Sequence, residues 1–126
     1  GNDMTTATVL FAHGSRDPAW RAPIEAVAAR MRELSPGVRV MCAYLEYTSP
    51  TLQDAVDALR AAGATSVAIW PMFLGTGRHA REDLPQLVDE LRAAHPGVVF
   101  TLHPAIAEHA AVLQAMASAA LGPSPS

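Results

Sequence analysis

Short apolar runs and longer stretches of mixed polarity alternate four times along the chain. The apolar runs at residues 9–12, 38–43, 67–70 and 98–102 have the length and composition of β-strands. Between them the apolar positions recur at helical spacing: Ile24, Val27, Ala28 and Met31; Leu52, Ala55, Val56 and Leu59; Leu84, Leu87, Val88 and Leu91. Each set marks one face of an amphipathic helix. A fourth helix is expected over about residues 108–121, where alanine dominates.

The punctuation between elements agrees with this reading. Asp17 before Pro18 and Ser49 before Pro50 each offer a capping side chain followed by a residue suited to the first helical position. Ser35-Pro36-Gly37, Ala61-Ala62-Gly63 and His95-Pro96-Gly97 carry the glycine or proline that stops a helix.

Strand and helix alternating four times predict a parallel sheet, because parallel neighbours need a crossover and right-handed helical crossovers prevail. The nearly continuous apolar strands suit a sheet covered on both faces. The expected fold is therefore α/β: a three-layer α/β/α sandwich with a flavodoxin-like four-stranded parallel sheet of order 2-1-3-4. In that order the chain reverses between strands one and three, and a ligand crevice opens beyond their carboxyl ends. One domain is expected over residues 4–121; Gly1 to Asp3, ahead of an internal Met4, read as a cloning remnant, and residues 122–126 read as a flexible tail.

Composition narrows the function. At 126 residues, with 50% hydrophobic and 17% charged residues and a net charge of -3, the chain matches a soluble globular domain. It lacks the basic surplus of a nucleic-acid binder. All nine basic residues are arginine, which excludes lysine Schiff bases and phosphate-loop lysines. Cys42, the single cysteine, lies in an apolar run and reads as a buried free thiol. No apolar run approaches the roughly 20 residues of a membrane span, and no secretory signal is visible, so a cytoplasmic location is expected.

Chemistry-bearing residues follow every strand. His13, Gly14, Ser15 and Arg16 follow the first, Glu46 the second, Arg78, His79 and Arg81 the third, and His103 the fourth. Two imidazoles and a carboxylate make an N/O donor set suited to Co²⁺, Fe²⁺, Ni²⁺ or Zn²⁺, and histidines accept protons near neutral pH. Arg16, Arg78 and Arg81, beside helix amino termini, should attract carboxylates or phosphates. Plainer roles are open for several of these. Glu46 can be a solvated loop carboxylate, Arg16 can pair with Asp17 or Glu82, and His103 can be a capping residue before Pro104. Gly75 and Gly77 can simply shape a turn, and Trp20, Trp70 and Phe73 fit core or rim packing. His95, in its helix stop, and His109, within the last helix, need no further role.

The ordered set "HGSR", Glu46 followed by Pro50, and "PMFLGTGRHAREDLP" resembles the small class II chelatases, the sirohydrochlorin cobaltochelatases and ferrochelatases, and the resemblance runs from about residue 6 to 121. It implies that His13 and His79, with Glu46 as third participant, hold the metal and accept protons as a divalent ion enters a tetrapyrrole. It further implies no tightly bound cofactor, the metal being a substrate, and a homodimer standing in for the two fused units of larger members. Charge then gives Arg16, Arg78 and Arg81 the substrate's carboxylates, with Ser15 beside them as a further substrate-binding residue. Two other readings use the same residues: a metal or tetrapyrrole carrier that never turns over, and a phosphoryl-transfer enzyme with His13 as nucleophile.

Overall fold

The structure is a computed structural model describing residues 6–75 and 77–123, with side chains described for all of these except residues 78–81. Four parallel strands, β1 (Thr6–Ala12), β2 (Arg39–Tyr44), β3 (Ser66–Pro71) and β4 (Val99–Leu102), pair in the order β2-β1-β3-β4. β1 is central, with Ala7 opposite Arg39 on one side and Val67 on the other. The four helices are α1 (Ala22–Leu34), α2 (Leu52–Ala61), α3 (Arg78–Ala94) and α4 (Ala110–Leu121). The three-layer sandwich and its 2-1-3-4 order are those expected from the sequence.

The larger part of the core lies between the sheet and the helix pair α2 and α3. Val9, Phe11, Val67, Ile69 and Phe100 meet Leu52, Val56, Leu59, Leu84, Val88 and Leu91 there. The opposite face is thinner: Leu10 and Val40 pack on Ala28 of α1, with Ile24, Met31, Trp70 and Met72 half-buried around them. β3 shows the difference directly, its residues alternating between half-buried Ala68 and Trp70 and buried Val67 and Ile69. Coverage on both faces, expected from the apolar strands, is therefore complete on one face only. α4 has no buried residue.

The capping chemistry departs from expectation at both proline sites. Asp17 caps a 3-10 turn, its carboxylate accepting from Ala19 N at 3.0 Å, and α1 starts only at Ala22. α2 is capped by Thr51, whose hydroxyl accepts from Asp54 N at 3.1 Å, and not by Ser49. The reason is that β2 reaches further than its apolar pattern. Tyr44 N donates to Pro50 O at 2.9 Å and Tyr44 bridges Thr51, so residues 50–51 run alongside the strand end before the helix can begin. At the other end of the chain, residues 106–108 form a separate 3-10 turn, and His109 caps α4 by accepting from Ala111 N through Nδ1.

Candidate functional site

The carboxyl ends of β1 and β2 continue their pairing into the loops that follow. Leu45 N donates to Ala12 O at 2.9 Å and Glu46 N to His13 O at 3.0 Å, which sets His13 and Glu46 side by side across two loops. The intervening turn depends on Gly14. Its φ is +94°, and a Cβ built there would fall 1.8 Å from Glu46 O, so a side chain is excluded by contact as well as by conformation.

A second tie holds the same two loops. Thr48 donates its hydroxyl to Ser15 O at 2.9 Å and accepts from Ser15 N at 3.3 Å. The Ser15 hydroxyl itself accepts from Asp17 N at 3.1 Å, anchoring the turn into the 3-10 segment. Arg16 lies 4.8 Å from the centre of the Tyr47 ring, a cation–π contact, and not against Asp17. Ser15, Arg16, Arg21, Tyr47, Thr48 and Ser49 line a small cleft of about 210 Å³ with cationic and hydroxyl walls.

His13 is exposed, and its imidazole stacks on Phe73, with ring centres 4.4 Å apart and planes 25° apart. Phe73 is buried among the core residues of the α2/α3 face, and its carbonyl accepts from Ala107 N at 3.4 Å. The stack occupies one face of the imidazole. Phe73 fits the expected packing role and also forms the floor under His13. Thr48 and Tyr47 were not singled out from the sequence. A hydroxyl residue two positions after Glu46 is the one local signal for the first, and nothing local announces the positive φ of 65° at Tyr47.

The third expected segment arrives through β3. Met72 N donates to Phe11 O at 2.7 Å, carrying the β1–β3 pairing to the loop that leads into α3. The first turn of α3 holds Arg78, His79 and Arg81, so these residues stand at the same sheet edge, while their side chains lie outside the described residues. Among the described residues no three of His, Cys, Asp and Glu gather as a metal-binding group. His13 and Glu46 are two members of the expected set.

The remaining histidines sort by environment. His103 stacks on Trp70 at 3.9 Å with planes 3° apart, away from His13 on the thinner face of the sheet, and does not cap a helix. His95 is buried, with Nε2 3.0 Å from a carboxylate oxygen of Asp57, tying the end of α3 to α2. Cys42 is half-buried and its Sγ lies 3.8 Å from Ile24 O; burial pushes the thiol up from its ordinary range. Such a thiol stays protonated and is a poor nucleophile. Among the described residues no helix is long and apolar enough to cross a membrane.

An α/β sandwich with a histidine and a carboxylate at the topological reversal of its sheet defines a class of binding or metal-handling domain. The CbiX family model matches residues 7–121, and the chain belongs to that family. It is 33% identical over 82 residues to a sirohydrochlorin cobaltochelatase of Methanopyrus kandleri, an alignment covering 65% of this chain and 57% of that protein. A sirohydrochlorin cobaltochelatase of Priestia megaterium is 28% identical over 114 residues, 90% of this chain and 37% of the other. The chain thus spans from just over a third to about three fifths of the length of these two relatives. A CbiX protein of Marinobacter aquaeolei VT8 superposes with a TM-score of 0.80 at 29% identity, covering 92% of this chain and 94% of that one. SirB of Bacillus subtilis, solved with Fe³⁺, shares the fold with a TM-score of 0.76 at 23% identity, covering 95% of this chain and 48% of SirB.

Proposed function

We propose that the protein is a metal chelatase that inserts a divalent ion, Co²⁺ or Fe²⁺, into sirohydrochlorin. The observation that carries the reading is the backbone tie between His13 and Glu46 across the Gly14 turn, at the edge where the first turn of α3 brings His79. Family membership and the names of the curated relatives point to the same reaction.

The chemistry asks for two services. Two pyrrole N–H protons must leave, and the metal must pass from protein ligands to four ring nitrogens. His13 offers an exposed imidazole stacked on Phe73, a side-chain type that can hold a borderline metal or accept a proton. Glu46 adds a carboxylate oxygen that takes the second proton or shares the metal. An exposed pair with one or two ligands releases its ion readily, as turnover requires. His79 completes the set in this reading.

The cationic cleft around Arg16 and Arg21 receives peripheral carboxylates of the ring, with Ser15 and Thr48 holding its wall and Arg78 and Arg81 extending the rim. Arg21 is partly neutralised by Glu25 at 3.5 Å, which leaves Arg16 as the stronger anchor. One unit offers one wall, so the reading includes a homodimer that encloses the ring from both sides. The unpaired Cys42 fits a reducing cytoplasm.

The test is anaerobic absorbance of sirohydrochlorin with Co²⁺ and, separately, Fe²⁺, against the rate without protein. Wild type is expected to give multiple turnovers, and His13→Ala and His79→Ala to lower kcat by about a hundredfold or more. Stoichiometric binding of metal or ring without metallated product would instead make the protein a carrier.

A further inference from the structure

Among the described residues Tyr47 is the one residue other than glycine with a positive φ, at 65°. Thr48 N donates to Glu46 O at 2.8 Å, so the chain closes a γ-turn around Tyr47, in the strained form of that turn. A glycine takes this conformation at no steric cost, whereas a bulky side chain resists it. Burial does not offset the strain, because Tyr47 is 61% exposed. Its neighbours fix where the ring stands. Glu46 N is bonded to His13 O, and Thr48 is bonded to Ser15 in both directions, so the β1 and β2 loops are tied together on either side of Tyr47.

Those ties bring the ring to Arg16, whose guanidinium carbon lies 4.8 Å from the ring centre. An exposed arginine on a loop samples many rotamers, and contact with an aromatic ring restricts them before any ligand arrives. The chemistry of the contact matters. A carboxylate would hold Arg16 and offset its charge, as Glu25 does in part for Arg21 at 3.5 Å. The Tyr47 ring holds the arginine and leaves its charge whole. It also offers no carboxylate to the five N–H donors, so the fork that suits a carboxylate is left for a ligand. Arg16, Tyr47 and Ser49 share a cleft of about 210 Å³, room for a carboxylate-bearing arm and not for a macrocycle.

We infer that Tyr47 is a positioning residue for the substrate: it holds Arg16 ready to take one peripheral carboxylate of the tetrapyrrole, and the strain of its turn serves to set the ring against the guanidinium. The inference rests on the part of the chelatase reading that seats a tetrapyrrole at this edge. Tyr47 acts through Arg16 and touches no reacting atom. One anchored arm is enough to give the macrocycle a register. Glu46 is the residue next to Tyr47 and its N is bonded to His13 O, so an arm held by Arg16 is held relative to the metal-handling pair.

Titration of metal-free sirohydrochlorin with the full chain, binding being read from the absorbance of the ring, tests this without turnover. Arg16→Gln is expected to weaken binding about tenfold and Tyr47→Gly about fivefold. The double substitution should weaken it about tenfold and not about fiftyfold, because the ring acts only through the guanidinium. Tyr47→Phe keeps the ring and should bind within about twofold of wild type. Thermal melts separate positioning from a merely structural role. Tyr47→Gly relieves the positive φ, so its melting temperature should hold or rise while binding falls. A Tyr47→Gly chain that binds as wild type does, one that melts lower as it binds less, or losses that multiply in the double variant would each overturn the inference. So would a wild type that binds no tetrapyrrole, and the chelatase reading would fall with it. A wild type that binds the ring in this pattern and never metallates it overturns the chelatase reading alone and leaves the role of Tyr47 supported.

Discussion

Gly14 is the residue on which the site geometry most depends. Its positive φ alone would cost an alanine about 1–2 kcal/mol, but the decisive fact is the 1.8 Å approach of Glu46 O to where a Cβ would stand. The β1 and β2 loops would have to part, and His13 and Glu46 would part with them. Gly14→Ala is therefore expected to lower the metallation rate by about a hundredfold, the effect of displacing reacting groups by roughly an ångström. Gly63 supplies the comparison: its φ is also positive, at +102°, yet nothing lies within 4 Å of its missing Cβ. Gly63→Ala should lower the melting temperature modestly and leave the rate per folded molecule unchanged. Steady-state rates and thermal melts on both variants separate the two effects. From the sequence, Gly14 was legible only as part of "HGSR"; that it carries the Glu46 contact depends on tertiary pairing that no local pattern reports.

At the scale of elements, apolar runs located the four strands and helical periodicity located α1, α2 and α3, because burial of one face is what both the pattern and the fold express, while α4 followed from its alanine content. Boundaries failed where backbone pairing overrode capping preference. Ser49 before Pro50 has the local form of a helix start, but the pairing of Tyr44 with Pro50 and Thr51 delays α2 and gives the cap to Thr51. Thr51→Ala is expected to destabilise the protein by about 1 kcal/mol in denaturant titration, and Ser49→Ala by no more than a few tenths. Equal losses from both would mean that Ser49 shares the cap. Likewise His109 reads as a helix-interior residue in sequence and caps α4 in the structure, since its Nδ1 replaces the shorter side chains that usually do this.

For the molecule as a whole, the sheet order followed from connection rules, while the unequal faces did not. An alanine-rich helix has the same composition whether it lies on its own sheet or on another chain, so the open groove beneath α4 became visible only with burial in hand. That groove lies over the sheet face that carries Leu10 and Trp70, while the Arg16 cleft lies beyond the carboxyl ends of β1 and β2. If each protomer closes the other's cleft, the rate per chain depends on the fraction paired. It should hold steady at high protein concentration and fall as the solution is diluted through the dissociation constant of the dimer, since single chains lack the second wall. Initial rates and sedimentation, read on the same dilution series, make the comparison. A rate strictly proportional to protein concentration across the range where the mass halves would show that one unit metallates the ring alone.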